Sequence, residues 1–211
     1  MKTLFLSTVF LTFTIFSVTG QADSNSIDFG AKAGVNFANI GGDDVETDSR
    51  TSFNLGLVLE VPISERFSFQ PEVLYSGQGF DIREIDQDNA FDTDDNIEYQ
   101  LDYIQVPLLL KAYVIKGLSV EAGPQFGFKI NEEIDFQPTS DEGDVEINDD
   151  NSDVKDFDTS IALGTSYKLD SGFFVSARYT FGLTNILEDE AFIQNVDVKN
   201  NVWQFGVGFM F

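Results

Sequence analysis

Residues 173–184 read FFVSARYTFGLT, and residues 203–211 read WQFGVGFMF. In both stretches every second residue is apolar, and most of the residues between them are small or polar. Successive side chains of a β-strand point to opposite sides, so a period of two is typical of a strand with two different faces. The two stretches therefore predict strands of an all-β fold.

The same alternation recurs along the rest of the chain. It predicts eight strands near residues 27–40, 51–62, 66–81, 97–115, 118–131, 157–168, 172–187 and 200–211. Each segment reaches the roughly 9–11 residues that a tilted strand needs to cross a bilayer. After Gln21, no apolar run approaches the roughly 20 residues of a membrane-spanning helix.

Short and long connections alternate strictly between these segments. The short ones are residues 62–65, 115–117 and 168–171, and the long ones are residues 41–50, 81–98, 131–156 and 188–199. In an up-and-down meander this order places every long loop at one end and both termini at the other. Short periplasmic turns and long external loops are typical of an outer-membrane barrel. We therefore predict an eight-stranded antiparallel up-and-down transmembrane β-barrel with long extracellular loops.

Alternation alone does not show which face points inward, so a soluble lipocalin-like barrel is an alternative. Glycine placement favours the membrane barrel, because glycine weakens a water-facing strand surface whereas a narrow lumen needs small side chains. Nine of the 17 glycines lie on the polar face: Gly30, Gly34, Gly56, Gly123, Gly127, Gly164, Gly182, Gly206 and Gly208. The apolar face then meets lipid, and we interpret Tyr75, Tyr179, Phe181 and Trp203 as interface anchors rather than ligand-stacking residues.

Charge is concentrated in the long loops. The chain carries 36 acidic and 12 basic residues, a net charge of −24, and 27 of the acids lie in the four long loops. So few basic residues cannot neutralise the phosphates of a nucleic acid, which excludes nucleic-acid binding. The absence of Cys and His excludes disulfides, thiol nucleophiles, Ser-His-Asp triads and nearly all zinc sites. We expect a solvated acidic rim that attracts divalent cations diffusely.

Two loop segments resemble pieces of a calcium loop, namely Asp86–Asp88 and Asp92–Asn96. Neither has the glycine that such a loop needs at its sixth position. Tyr103 also stands where the twelfth-position Glu counted from Asp92 is required. The sequence therefore predicts no defined metal site, and it predicts no cofactor.

Seven charged residues alternate into the predicted lumen: Lys32, Glu60, Glu72, Lys111, Glu121, Lys129 and Arg178. Buried charges are costly unless they are paired. Mixed signs therefore predict an ion-pair plug, with Glu72 and Glu121 set against Arg178 and Lys111. The alternatives are a selectivity filter in a narrow pore, or a catalytic pair of carboxylates. Side-chain filling is favoured, because eight strands leave an interior only just wide enough for side chains.

The N-terminus has the pattern of an export signal. Lys2 is followed by an uncharged, largely apolar run over residues 4–18, and Val18-Thr19-Gly20 places small residues before Gln21. We predict a cleaved signal peptide over residues 1–20 and a single barrel domain over residues 21–211. The alternative is a transmembrane anchor, since the run is near the lower limit for spanning.

Six motifs occur along the mature chain: Phe69–Gly79 (FQPEVLYSGQG), Tyr103–Lys111 (YIQVPLLLK), Glu121–Gln125 (EAGPQ), Ala177–Ile186 (ARYTFGLTNI), Gly30–Asn36 (GAKAGVN) and the closing Asn200–Gln204 strand. Together they resemble the PorT-like outer-membrane β-barrel family of Bacteroidota-type bacteria, often labelled "porin family protein". The resemblance spans the mature chain in order and implies an outer-membrane location and insertion by the barrel-assembly machinery. Phe211 matches the terminal aromatic residue of the signal that this machinery recognises.

These observations favour a non-enzymatic barrel whose acidic rim contacts ions, lipopolysaccharide or another protein. A narrow cation-preferring channel is the alternative, and it requires a water path past Glu72, Glu121 and Arg178. A membrane-embedded hydrolase or acyltransferase is a third class, but the chain has no His and no convincing carboxylate pair at the loop-side rim. The sequence does not identify a protein partner.

Overall fold

The computed structural model describes residues 26–41, 48–83, 96–135, 144–146, 152, 154–186 and 199–211. The predicted signal peptide lies outside these ranges, as do most of the loop acids. The calcium-like segment Asp86–Asp88 is likewise outside them, and so is all of the segment Asp92–Asn96 except Asn96.

Nine antiparallel strands make up the described fold. They are β1 (Asp28–Gly41), β2 (Asp48–Pro62), β3 (Phe67–Arg83), β4 (Asn96–Ile115), β5 (Leu118–Asp135), β6 (Asp144–Glu146), β7 (Phe157–Lys168), β8 (Phe173–Gly182) and β9 (Lys199–Met210). Each long strand pairs with its neighbours along the chain, and β1 also pairs with β9, which closes the sheet. The short β6 pairs only with the last residues of β5. The eight long strands confirm the predicted barrel.

No helix in the described ranges is long and apolar enough to cross a membrane. The barrel has two ends, which we call the turn end and the loop end. At the turn end β2–β3, β4–β5 and β7–β8 are joined by short turns, and at the loop end lie the long connections.

The two faces of the closed sheet differ as the alternation predicts. On β9, Trp203, Phe205 and Val207 point outward and are about half exposed, whereas Gln204 points inward and is buried. Neighbouring outward aromatic rings contact one another, with 4.7 Å between the centroids of Tyr179 and Trp203. A sheet closed on itself buries only its inner face. In this barrel the polar residues lie on that face, and the apolar residues lie on the exposed outer face.

Two apolar clusters bound the polar lumen. Near the turn end, Val58 packs against Phe174 and Met210. At the loop end, a second cluster forms a cap over the lumen. The cap consists of Leu101, Tyr103, Val154 and Ile186, with Phe80 and Tyr99 packed against it.

The seventh barrel strand, β8, ends five residues earlier than the predicted boundary at residue 187. β8 ends at Gly182, after which the N–H groups of Leu183 and Thr184 donate to the carbonyl oxygen of Thr159 at 2.9 and 3.4 Å. The chain then turns into the mouth of the barrel, where Ile186 is 3% exposed in the cap. Burial of this one apolar side chain explains why the strand does not continue.

β5 extends past its predicted end at residue 131 and carries a bulge. Tyr103 pairs with Lys129 and Asp102 with Asn131, so Ile130 is the extra residue in β5. Because a bulge inserts one extra residue, the side chains that follow it point to the opposite face of the sheet from the one that strict alternation predicts. Lys129 and Glu132 therefore both point inward, although Glu132 was predicted from the sequence to be a loop acid.

The turn between β7 and β8 depends on one glycine. Gly172 has φ +92°, and its N–H donates to the carbonyl oxygen of Leu169 at 3.0 Å. A Cβ at this position would lie 2.4 Å from the carbonyl oxygen of Met210. Both the backbone angle and the close approach to β9 require glycine.

We expect Gly172→Ala to destabilise the barrel by about 1–3 kcal/mol, because alanine is strained at positive φ. The measurement is the guanidinium midpoint of the refolded protein. Ser171→Ala is the matched control, since Ser171 is exposed in the same turn. Equal midpoints for the two variants would contradict this account of the turn.

Candidate functional site

Arg178 on β8 lies at the centre of the lumen and binds two carboxylates from other strands. Its Nη1 and Nη2 atoms donate to Oε2 and Oε1 of Glu72 on β3 at 2.9 and 2.7 Å. Its Nε and Nη2 atoms donate to Oε1 of Glu121 on β5 at 3.0 and 2.8 Å. Arg178 and Glu72 are each 1% exposed and Glu121 is 4% exposed. We call these three residues the Arg178 cluster.

Glycines in the barrel wall make room for these charges. A Cβ on Gly164 would lie 3.0 Å from Oε1 of Glu121 and 3.2 Å from the Cα of Arg178. A Cβ on Gly206 would lie 2.7 Å from Cε of Lys32. The glycine pattern on the inward face therefore serves the close packing of long charged side chains.

Lys32 and Lys111 neutralise the carboxylates around the Arg178 cluster. Nζ of Lys32 lies 3.7 Å from Oε2 of Glu72. Nζ of Lys111 donates to Oε1 of Gln70 at 2.9 Å, and Nε2 of Gln70 donates to Oε1 of Glu72 at 2.6 Å. Lys111 itself lies 3.5 Å from Glu60.

The predicted pairing of Lys111 with Glu72 or Glu121 is wrong. Lys111 is the register partner of Glu121 on β5, yet its ammonium group reaches Glu60 instead. The guanidinium of Arg178 already bonds both carboxylates, which leaves Glu60 as the acceptor for Lys111.

A second group of charges lies at the turn end. Glu60 accepts a hydrogen bond from the hydroxyl of Tyr113 and lies 3.3 Å from Nζ of Lys168. Lys168 also pairs with Asp28 at 2.9 Å. These residues line a vestibule of about 780 Å³ that opens at the turn end. Lys168 and Asp28 were not among the lumen charges predicted from the sequence, because both lie at strand ends where alternation carries little information.

Lys129 organises the loop end. Its Nζ donates to Glu132, to the hydroxyl of Ser152 and to the carbonyl oxygen of Val154, each at 2.7 Å. The hydroxyl of Tyr99 also donates to Glu132. This network holds the segment around Val154 over the mouth of the barrel. Glu132 could not be found from sequence, because only the bulge in β5 turns it inward.

A band of amide side chains lies between the Arg178 cluster and the cap. Nδ2 of Asn54 donates to Oδ1 of Asn36 at 2.6 Å, and Nδ2 of Asn36 donates to the carbonyl oxygen of Gly77 at 2.8 Å. Asn200 donates to Gln78 in the same region. These inward amides were not singled out from the sequence, where they appear only as polar positions in the alternation.

All seven charged residues predicted for the lumen therefore point into it. Six are buried as whole residues, and the side chain of Lys129 is 2% exposed. Charges of opposite sign are in contact throughout. Within the ranges that the structure covers, no group of three or more acidic side chains is arranged to hold a metal ion.

Phe211 lies on the outer surface at the turn end. It is 77% exposed, its N–H donates to the carbonyl oxygen of Phe29 at 2.7 Å, and its ring centroid is 5.3 Å from that of Phe209. The terminal aromatic ring is thus accessible from outside the barrel.

A closed eight-stranded barrel with an apolar exterior and a charged interior is an outer-membrane architecture. The outer membrane protein beta-barrel domain family matches residues 20–188 of the chain. The protein belongs to this family. Its location is accordingly the outer membrane. No curated protein matches the sequence.

The chain is similar to two solved barrel structures. Neisserial surface protein A (NspA) is 13% identical, with 88% of this chain and 99% of NspA covered and a TM-score of 0.55. Ail, the attachment invasion locus protein of Yersinia pestis, is 15% identical, with 87% and 98% covered and a TM-score of 0.48. At 13% identity the likeness to NspA shows the fold alone, and the likeness to Ail carries no argument.

We expect Arg178→Ala to destabilise the barrel by about 3–5 kcal/mol, because it leaves two buried carboxylates without their partner. Arg178→Lys should restore only part of the loss, since one ammonium group cannot replace a bidentate guanidinium. The measurement is the urea midpoint of refolded residues 21–211.

Lys116→Ala is the control for this prediction. Lys116 pairs with Asp170 at 2.7 Å in an exposed position, and this hydrogen bond raises the pKa of Lys116. Loss of an exposed pair should leave the midpoint unchanged. A midpoint of Arg178→Ala equal to that of the wild type would show that the cluster does not stabilise the barrel.

Proposed function

We propose that the protein is a non-enzymatic outer-membrane barrel with a plugged lumen, which presents its acidic loops outside the cell. The observation that carries the proposal is the Arg178 cluster. One guanidinium binds Glu72 and Glu121 across the lumen, so side chains from β3, β5 and β8 meet where a pore would run. Apolar clusters at both ends add to the closure.

The state of the lumen carboxylates supports a non-enzymatic role. A general acid or base must reach a substrate proton within hydrogen-bond distance. Glu72 and Glu121 are instead buried and bound to Arg178, and Glu60 is contacted by Lys111, Lys168 and Tyr113. Substrate would have to displace these partners before either proton transfer or nucleophilic attack.

A narrow cation-preferring channel is the second candidate. The vestibule of about 780 Å³ favours it, because this opening leads from the turn end to Glu60. In this alternative Glu60, Glu72 and Glu121 line a water path. It requires the salt bridges of Arg178 to open, which is why we rank it second.

The motifs that resemble the PorT-like family support a more specific assignment of the chain within its barrel family. On this basis we propose that residues 1–20 are a cleaved export signal and that the barrel-assembly machinery inserts the mature chain. The exposed ring of Phe211 is available to that machinery. A role in protein secretion does not follow from the motifs.

The acidic loops are the proposed contact surface for ions, surface lipid or a protein partner. They carry 27 acids and four basic residues, and this excess of negative charge attracts divalent cations. Divalent cations could in turn bridge the loops to the phosphate groups of lipopolysaccharide. The loop sequences show no motif that identifies a protein partner.

We expect refolded residues 21–211 to give no single-channel current in a planar bilayer, because paired side chains fill the lumen. Heat-shifted mobility on a gel would confirm that the silent protein is folded. Discrete cation-selective steps that shrink in Glu60→Gln would support the channel and overturn the plugged barrel.

Neutralising loop acids should weaken divalent-ion association without affecting the barrel. We expect a variant with Asn at positions 92, 94 and 95 to keep the heat-shifted mobility and to bind less Ca²⁺ in equilibrium dialysis. Asp170→Asn is the control, because it removes an exposed acid at the turn end. Loss of folding in the loop variant would contradict the division between barrel and rim.

A further inference from the structure

A groove crosses the outer wall of the barrel on the side of β8. Its volume is about 590 Å³ and its lining is almost wholly apolar. Ala33 on β1, Thr165 on β7 and Ala177 on β8 are outward-facing residues in this lining. Because their side chains are short, the surface is recessed between larger neighbours such as Phe205 and Tyr167, which are 45% and 43% exposed. We call this depression the wall groove.

The polar atoms along the wall groove are already bonded within the barrel wall. The hydroxyl of Thr165 donates to the carbonyl oxygen of Ser119 at 2.8 Å, which leaves its methyl group to face the groove. The hydroxyl groups of Ser119 and Ser166 lie 2.8 Å apart in a hydrogen bond on the inner face. The wall groove therefore offers contacts to an apolar occupant.

The wall groove climbs from the turn end towards the middle of the membrane. It crosses β5, β7, β8, β9 and β1, which is the order in which these strands pair. Leu118 is the first residue of β5, Ala177 is the fifth residue of β8, and Val35 is the eighth residue of β1. Seven residues of a strand tilted by about 40° rise by about 18 Å. The deep end of the groove therefore lies near the midplane of a hydrocarbon core that is about 30 Å thick.

The length of the wall groove matches one acyl chain. Five neighbouring strands are separated by four spacings of about 4.8 Å, so the groove is about 19 Å long. One leaflet contributes about 15 Å to the hydrocarbon core. An acyl chain of the leaflet at the turn end can thus follow the groove from the membrane edge to the midplane.

A second, smaller depression lies beside the wall groove. Its volume is about 160 Å³, and we call it the side notch. Its lining consists of Tyr167, Leu169, Phe173, Phe174, Val175 and Val207, of which Tyr167, Val175 and Val207 also line the wall groove. The ring of Tyr167 leans on the neighbouring turn, since a Cβ on Gly117 would lie 3.3 Å from its Cε2 atom. Two adjacent apolar depressions fit the two chains of a diacyl lipid, whereas a fatty acid has only one chain.

An exposed ion pair lies where the two depressions reach the turn end. Nζ of Lys116 lies 2.7 Å from Oδ2 of Asp170, and the two side chains are 83% and 80% exposed. Lys116 is two residues before Leu118 of the wall groove, and Asp170 directly follows Leu169 of the side notch. An exposed pair of this kind contributes little to stability, so its members can exchange partners at low cost.

The two charges define the headgroup that fits this end. The ammonium group of Lys116 can donate to a phosphate, and the carboxylate of Asp170 can accept from an ammonium group. A headgroup that carries both a phosphate and a primary ammonium group complements the pair. An anionic headgroup without the ammonium group would satisfy Lys116 and leave its negative charge beside Asp170.

We propose that the wall groove and the side notch bind one diacyl phospholipid of the phosphoethanolamine type in the leaflet at the turn end. One acyl chain follows the wall groove, the other begins in the side notch, and the headgroup bridges Lys116 and Asp170. This lipid site lies at the opposite end of the barrel from the acidic loops. It depends on the outer-membrane location and not on whether the lumen is plugged.

The first test is native mass spectrometry of the full chain, extracted from outer membranes in a mild detergent. We expect one diacyl phospholipid to remain bound to each barrel. Ala177→Phe fills the wall groove and should lower the bound fraction by about tenfold or more, since the loss of a few methylene contacts has an effect of that size.

Ala122→Phe is the matched control for this test. Ala122 is exposed on the outer face of β5 and does not line the wall groove, so the same substitution there should leave the bound lipid unchanged. Heat-shifted mobility on a gel verifies that both variants are folded. Wild-type barrels without bound lipid, or equal loss of lipid in the two variants, would overturn the site. A bound fatty acid would overturn the two-chain assignment, and a mass of two chains that only Ala177→Phe removes would assign the groove to a second copy of the protein.

The headgroup is tested by refolding the protein into liposomes with equal amounts of phosphatidylethanolamine and phosphatidylglycerol that have the same acyl chains. We expect the lipid retained by the wild type to be enriched in phosphatidylethanolamine. Asp170→Asn should abolish this enrichment, because it removes the acceptor for the ammonium group. Glu65→Gln is the control, since Glu65 is an exposed acid in another turn at the same end. Equal retention of both lipids by the wild type, or enrichment that survives Asp170→Asn, would overturn the headgroup assignment.

Discussion

Hydrocarbon offers no hydrogen bonds to the backbone, so a chain that crosses it with strands must pair every strand on both sides. In this protein the condition is met where β9 returns to pair with β1. Closure determines the rest of the structure, because it creates an outer face that only lipid can cover and an inner face that is shut off from bulk solvent.

An interior enclosed by eight strands is narrow, and the side chains that enter it must match in size and in charge. Arg178 meets both demands by binding Glu72 and Glu121, while glycines such as Gly164 leave the space for the long side chains. Above this cluster, Asn54 donates a hydrogen bond to Asn36 across the inner face.

Most of the architecture could be predicted, because period-two alternation and loop length are local properties. They identified the eight strands, their direction and the face that turns inward. The boundaries at the loop end could not be predicted. The early end of β8 depends on the burial of Ile186 in the cap, and the inward turn of Glu132 depends on a bulge against β4.

The sequence by itself determined which residues enter the lumen, because strand geometry assigns alternate side chains to one face. The seven charges were found in this way, together with the need to pair them. Only the tertiary structure decided which charged side chains pair. Lys111 donates to Gln70 and lies close to Glu60, while Arg178 forms salt bridges with both Glu72 and Glu121. The physical reason is that partners in a barrel meet across the lumen, from strands whose relative heights are set by the register of the closed sheet and not by their positions along the chain.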